Sequence, residues 1–365
     1  MFFIQYLLPF FVALTILVFI HELGHYLFAR KYGVRVEVFS IGFGPEVFGF
    51  FDKHGTRWKF SIIPLGGYVR MFGDADAASR PDSEGIANMS VHERSLTLQS
   101  KPIMQRIMVS LGGPLANFLF ALVAMFFLFA IKGEPVIKTS IMEVKENSVA
   151  MSIGLKSGDV IKAFQGKAVS TFKELKSAIQ TVEGNDISVD IERDGAPLTL
   201  SLKRTTPFEK PFQLGIVPSS PEFERKSIRD AVISSFSMVY ESSMDIIVMV
   251  KQMIIGERKG NELGGILAIG EMAGKSAQSS AATFVWFLAL LSVNLGMLNL
   301  FPIPMLDGGH IALYAIEGMI GRPVPLKVQE YIFLGGFGIV ASLMLYVTWN
   351  DLSRYKIFEM ISNLF

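Results

Sequence analysis

The sequence predicts a polytopic α-helical membrane protein with four transmembrane helices, a membrane-associated β-element and one inserted extracytoplasmic α/β domain. Three observations carry that expectation. Half of the 365 residues are hydrophobic. The apolar residues fall in blocks instead of being spread evenly, and the stretches between blocks alternate apolar and polar side chains with the period of strands.

The blocks set the spans. Residues 1–20 carry no charged side chain, and their apolar character runs past His21 to about Ala29. Residues 107–130 and 281–306 are also free of charge, and the window 330–349 has Glu330 at its start as its one charged residue. Each window meets the ~20 residues needed to cross ~30 Å of hydrocarbon. The first lacks the positively charged start and small-residue cleavage site of a secretory leader, so it is read as a span.

Orientation follows from the basic residues. Arg30, Lys31, Arg35, Lys101 and Arg106 stand near the ends of the first two windows, in the loop 30–106. The positive-inside rule therefore places that loop in the cytoplasm. The N-terminus and residues 131–280 are then outside, and the connection 308–329, with Arg322 and Lys327, is inside.

Within the first loop, 34–43, 45–51 and 56–72 alternate as strands punctuated by glycine and proline. They are apolar for a cytosolic loop, which suggests a small sheet or hairpin at, or dipping into, the membrane face. Strand backbone at that depth must be shielded by protein or line a wet cavity. Residues 73–100 are polar and read as a surface loop. The region 131–222 has a different grain: short strands, a full helix over 171–182, and turns at Gly158-Asp159, Gly166-Lys167 and Asp194-Gly195. Residues 228–255 are helical and amphipathic, but Glu241 and Asp245 favour an interfacial helix over a fifth crossing.

Composition narrows the chemistry. The net charge of +1 gives no footprint for a nucleic-acid partner, and with no cysteine there is neither a disulfide nor a thiolate ligand. Histidine and carboxylate remain as strong metal ligands. The chain has five histidines, two of them in His21-Glu22-Leu23-Gly24-His25. This is an HExxH pattern. On a helix, residues four apart share a face, so both imidazoles can reach one Zn²⁺ while Glu22 stands ready to act on water. Ionisable groups ending an apolar span mark a functional site.

A catalytic zinc site takes three protein ligands and keeps a position open. No GxxH follows the motif. Asp307 is the stronger third candidate, because it follows the third window on the same membrane side as the histidines, after Pro302 and Pro304. An ordinary turn at Asp307-Gly308-Gly309 and a ligand role for His310 remain as alternatives. Two other functions compete: a membrane scaffold with a structural zinc site, which has no use for Glu22, and an ion transporter, which would need charged residues in spans two and four.

The run Ser148-Val149-Ala150 to Gly158-Asp159-Val160-Ile161 resembles a PDZ domain, present in one copy. Together with HExxH, Pro64 to Met71, Gly112-Gly113-Pro114-Leu115-Ala116-Asn117 and Asn299 to Gly309, all in family order, the chain resembles the bacterial site-2 proteases, RseP-type intramembrane zinc metalloproteases with a single PDZ domain. The resemblance implies one zinc held by His21, His25 and Asp307, and Glu22 as general base. It also implies substrate handling by Asn294 and Asn299, and a membrane-reentrant β-element at Gly66, Gly67 and Tyr68 that holds substrate as an added strand. It divides the chain into an N-terminal membrane half (1–130), a PDZ-like domain (131–222), an amphipathic linker helix region (223–280) and a C-terminal membrane half (281–365). It further implies the bacterial inner membrane, single-span substrates such as anti-sigma factors or signal-peptide remnants, and a site-1 type protease acting first.

Overall fold

A computed structural model of the chain describes residues 3–76, 82–182, 186–203, 214–219, 222–257 and 264–354. Residues 77–81 of the expected surface loop and 355–365 of the C-terminal half lie outside them. The chain forms two compact units, one from Met1–Leu128 with Val232–Phe365 and one from Phe129–Ala231.

The larger unit begins with a π-helical turn at Phe3–Leu7 and helix α1, Leu8–Lys31. Pro9 occupies the first turn, where a missing N–H breaks no bond, and Gly33 at φ +67° ends the helix in the left-handed region. Two long antiparallel strands follow, β1 (Val36–Phe51) and β2 (Arg57–Met71). Each strand folds across the other: Phe39 pairs with Val69 on one side and with Trp58 on the other. The turn between them is organised by Asp52, whose carboxylate accepts the N–H groups of His54 (2.8 Å) and Thr56 (3.0 Å), the Tyr26 hydroxyl (2.6 Å) and the Trp58 indole (3.1 Å). Burial works to raise that carboxyl, but these four donors outweigh it and hold it down at about 2. Val36, Phe39, Val69 and Met71 are buried against Tyr26 and Ala29 of α1. The other end of the sheet is different, exposing Val47, Phe48, Phe50, Phe51 and Ile62 as the kind of apolar patch that marks contact with a membrane or another protein.

The polar segment after β2 is not wholly loop. It contains two single-turn helices, α2 (Ser83–Ala87) and α3 (Val91–Ser95), the second held by a capping box between Ser90 and Glu93. Helix α4, Ile103–Ile131, then crosses α1. The crossing is close because Gly24 and Gly112 face each other: a Cβ on either would overlap the other's carbonyl.

The smaller unit contains β3 (Glu134–Val136), β4 (Ile141–Val144), α5 (Val149–Ile153), β5 (Val160–Phe164), β6 (Lys167–Ala168), α6 (Phe172–Gln180), β7 (Asp186–Arg193), β8 (Ala196–Lys203), β9 (Ile216–Pro218) and β10 (Glu222–Glu224). A four-stranded sheet runs β6–β5–β7–β8, beside the pairs β4–β9 and β10–β3. Both of its hairpins turn on two residues with positive φ, Gln165-Gly166 and Asp194-Gly195, whose backbone twist matches that of the strands. Ile161, Phe164, Leu175, Val189 and Ile191 form its core. Asp159, buried, is paired to Arg193 at 2.7 and 2.8 Å.

Three more long helices and two shorter ones follow among the described residues: α7 (Ile228–Ile254), α8 (Ile266–Ser279), α9 (Ala281–Leu300), α10 (Asp307–Ile320) and α11 (Leu326–Arg354), of which α8 and α10 are the shorter. Among the described residues, five helices are long and apolar enough to cross a membrane, at 4–31, 103–131, 228–254, 281–300 and 327–354. That is one more than the four windows. The additional one is α7, the least apolar of the five with a mean hydropathy of 1.2, and its two mid-helix acids, Glu241 and Asp245, are exposed. Helix α11 leaves Tyr331, Leu334, Phe337, Ile339 and Leu345 exposed, as a lipid-facing helix does. Its one buried charge, Asp351, caps α8 by accepting the N–H groups of Gly265 (3.0 Å) and Leu267 (2.9 Å). The fold is thus that of a polytopic helical membrane protein with an inserted β-rich domain.

The segment after Asp307 departs from expectation. In place of a tight turn, Asp307 opens a 14-residue helix. Gly308 and Gly309 are buried within it, because a Cβ on Gly308 would overlap the carbonyls of Leu300 and Phe301 and one on Gly309 that of Ile303. The glycines serve close approach, not turning.

Candidate metal centre

Three side chains from two distant parts of the chain converge. His21 Nε2 lies 3.2 Å from Asp307 Oδ2, His25 Nε2 lies 3.3 Å from Asp307 Oδ1, and the two Nε2 atoms are 3.2 Å apart. Among the described residues this is the group of histidines and carboxylates close enough to share an ion. The spacing is itself a test of fit. Ligands ~2.0 Å from a central zinc, at three corners of a tetrahedron, stand about 3.3 Å from one another. Two neutral imidazoles and a carboxylate suit Zn²⁺ chemically, and their acceptor atoms can share so small a space when a cation lies between them.

The two histidines are placed by α1, one helical turn apart, and oriented by α4. His25 Nδ1 donates to the carbonyl of Val109 (2.9 Å), His21 Nδ1 meets the side-chain amide of Asn117 (3.1 Å), and Gly113 lies beneath both rings. Residues 109, 113 and 117 repeat every four and so form one stripe of α4, read against the 21, 25 stripe of α1. A Cβ at Gly113 would come within 2.7 Å of His21 Nε2 and closer to His25 Nε2. Asp307 arrives from the other half of the unit, at the start of α10. The two prolines before it and Met305, at φ +79°, fix the loop that delivers it. Burial alone would raise the Asp307 carboxyl; the facing imidazoles of His25 and His21 hold it well below the ordinary carboxylate range.

Glu22 does not join the trio but opens on the same cavity, of about 190 Å³, together with Gly67, Tyr68, Val69, Asn299 and Tyr314. The β-element closes on it tightly: a Cβ at Gly67 would lie 3.2 Å from Glu22 Cγ and 2.6 Å from the Ser40 carbonyl. Gly66, at φ +98°, carries the chain past the Phe43 ring, which stacks on Tyr68 at 5.9 Å. On one side Gly67 and Tyr68 pair with Ile41 and Ser40. At the cavity wall, burial pushes the Tyr314 hydroxyl up to about 12 and lowers His310, so both are neutral near pH 7.

The sequence-predicted residues are therefore partly assembled. His21, His25 and Asp307 meet, Glu22 adjoins them, and Gly67, Tyr68 and Asn299 line their cavity. Asn299 donates from Nδ2 to the Leu295 carbonyl (3.0 Å). Asn294 is exposed on α9 and is not among the residues lining the cavity. His54 and His92 are outside the ligand group. Sequence reasoning missed Val109, Gly113 and Asn117 as parts of the site. The signal was present in the Gly112 to Asn117 motif, but nothing in the chain alone told which face of α4 would meet the histidines.

Residues 9–343 match the family model described as Peptidase family M50, an interval that contains every residue of the centre. A candidate zinc metalloprotease of Agrobacterium fabrum is 39% identical over 360 residues, covering 95% of this chain and 96% of the relative. One of Rhizobium meliloti is 36% identical over 363 residues, covering 96% and 97%, and the metalloprotease MmpA of Caulobacter vibrioides is 32% identical over 384 residues, covering 97% and 96%. With both the HExxH helix and the distant aspartate inside these end-to-end matches, the chain belongs to peptidase family M50.

Proposed function

We propose that this protein is an intramembrane zinc metalloendopeptidase that hydrolyses a peptide bond within or beside a transmembrane segment of its substrate. The observation that carries the reading is the trio of Nε2, Nε2 and carboxylate atoms at 3.2–3.3 Å with the Glu22 side chain on the same cavity. His21, His25 and Asp307 would hold one Zn²⁺. When bound, zinc supplies Lewis acidity, acidifying a water and polarising the scissile carbonyl. Glu22 takes the proton of that water and delivers it to the leaving amine.

The rest of the cavity handles the backbone. A transmembrane substrate hides its amides in helical bonds and must unwind to be cut. Gly67 and Tyr68 are paired on one side, and we assign to the other side of the Gly66–Tyr68 segment the task of pairing with the extended substrate, which offsets the bonds lost. Asn299 and Asn294 are assigned to substrate carbonyls as donors.

By the distribution of basic residues, the active site lies toward the cytoplasmic side of the bacterial inner membrane, the β-rich domain on the outer side, with α7 on the interface and four helices spanning. We read that domain as a PDZ-like filter at residues 131–222, and the substrates as anti-sigma factors or signal-peptide remnants already shortened by a site-1 type protease.

The test is cleavage of a model single-span substrate in liposomes by the wild type, Glu22→Gln and Asp307→Asn, with bound zinc measured in each. The expected result is retained zinc with lost cleavage in Glu22→Gln, and weakened zinc in Asp307→Asn. Full cleavage by Glu22→Gln would overturn the mechanism.

A further inference from the structure

We infer that Asn117 is a positioning residue of the metal centre: its side-chain carbonyl accepts the Nδ1–H of His21 and so commits that ring to ligating through Nε2. This rests on the reading of His21, His25 and Asp307 as metal ligands.

A neutral imidazole carries one N–H. A ring that ligates through Nε2 carries it on Nδ1, and the orientation of such a ring is set by the acceptor that this N–H finds. His25 has its acceptor, the Val109 carbonyl at 2.9 Å. At His21 the group facing Nδ1 is the Asn117 amide, with Nδ2 3.1 Å away. Asn117 is fully buried, and its Oδ1 has no hydrogen-bond partner.

The two faces of that amide select two tautomers. With Nδ2 toward His21, Nδ1 is the acceptor and the proton sits on Nε2, 3.2 Å from Asp307 Oδ2. With Oδ1 toward His21, the proton sits on Nδ1 and the Nε2 lone pair is released toward the point shared with His25 and Asp307. The exchange is a half-turn about a broad, two-fold terminal torsion between atoms of nearly equal size. The Ser292 hydroxyl donates to the Asn117 backbone carbonyl (2.9 Å), and a Cβ added at Gly296 would stand 3.4 Å from the Asn117 Cβ, so α9 packs against the backbone and Cβ of the residue and these contacts do not depend on which way its amide faces.

The experiment measures zinc affinity by chelator competition on the full chain in detergent, comparing the wild type with Asn117→Leu, which has neither donor nor acceptor, and Asn117→Asp, which when ionised is an acceptor alone. Outer-shell partners of this kind typically contribute 10–100-fold in metal affinity. Asn117→Leu is expected to bind zinc about 10–100-fold more weakly, and Asn117→Asp to stay within about threefold of the wild type. A role as donor, or in packing alone, would leave Asn117→Asp no better than Asn117→Leu, and that result overturns the inference, as does unchanged affinity in Asn117→Leu.

A second measurement is independent of how the aspartate variant folds. With Co²⁺ in place of zinc, each ligating imidazole gives a paramagnetically shifted, exchangeable Nδ1–H proton resonance. The wild type should show two in slow exchange with solvent, and Asn117→Leu one; two slow resonances in the variant would refute the assignment. If the wild type itself binds no zinc and His21→Ala changes nothing, the ligand reading fails and this inference with it. If the wild type binds and His21→Ala does not, only the role of Asn117 is at stake.

Discussion

Gly113→Ala adds one methyl group at the point where the fold has least room. The new Cβ would lie 2.6 Å from His21 Cε1 and 2.7 Å from His21 Nε2, and nearer still to His25 Nε2, where ordinary contact begins at 3.4 Å. Both rings must therefore withdraw, that of His21 by about 0.8 Å and that of His25 by more. Zinc ligation tolerates errors of roughly ±0.2 Å in ligand distance, so the displaced nitrogen is lost as a ligand. Zinc affinity should fall by at least about 100-fold, equivalent to about 2.8 kcal/mol. The helix itself should not suffer, since alanine in a helix interior is favoured over glycine by roughly 0.5–1 kcal/mol. Chelator competition on purified protein in detergent measures the first effect, and a thermal melt with excess chelator measures the second. Gly335→Ala is the control, because that glycine lies in α11 with nothing within 4 Å of its Cβ position and should leave zinc unchanged. Zinc affinity within threefold of the wild type in Gly113→Ala would refute the packing argument.

Asp307→Ala should reduce bound zinc to below half occupancy at a zinc concentration that saturates the wild type, read by elemental analysis; full occupancy would mean that another group is the third ligand. Burial pushes the Asp74 carboxyl up to about 7, against the Met71 N–H that donates to it at 3.0 Å. The folded chain therefore keeps a proton that the unfolded chain, with a value near 3.9, releases, so stability should fall as pH rises from about 4 to about 7 and then level off. Asp74→Asn should flatten that slope in detergent melts, and an unchanged slope would exclude Asp74 as its source. Arg193→Ala leaves Asp159 buried without its cation and should cost the β-rich domain about 3 kcal/mol, seen as a lowered unfolding midpoint; a shift under 1 °C would show that the pair is not needed. Tyr26→Phe removes the hydroxyl that donates to Asp52 at 2.6 Å, and should cost about 1–2 kcal/mol near pH 7, less once the pH falls through about 2.

Much of this was legible in the chain. Apolar windows marked four of the five membrane-length helices found among the described residues, because the need to bury about twenty consecutive apolar residues leaves a mark that local sequence cannot hide. The fifth, α7, was set aside on account of Glu241 and Asp245, yet its window still meets the length and hydropathy of a span. The strands of the β-rich domain were readable from alternation and from the turns at Gly166-Lys167 and Asp194-Gly195, although the first hairpin turns one residue earlier, on Gln165-Gly166. The polar segment 73–100 looked like loop because five-residue helices have too few residues to show a period, and α2 and α3 depend on their caps instead.

At the metal centre the division is physical. The sequence alone determines that His21 and His25 share a helix face with Glu22 between them, since a spacing of four on an α-helix is a local property. It also supplies Asp307 as a carboxylate at matching depth. What the tertiary structure decided is every contact that depends on a second helix: Gly24 against Gly112, the stripe of Val109, Gly113 and Asn117 that orients the imidazoles, and the reading of Gly308 and Gly309 as room for a returning loop instead of as a turn. A glycine records only that a side chain is missing. Which backbone or ring fills the space is a matter of how two helices cross, and no periodicity within either helix contains that angle.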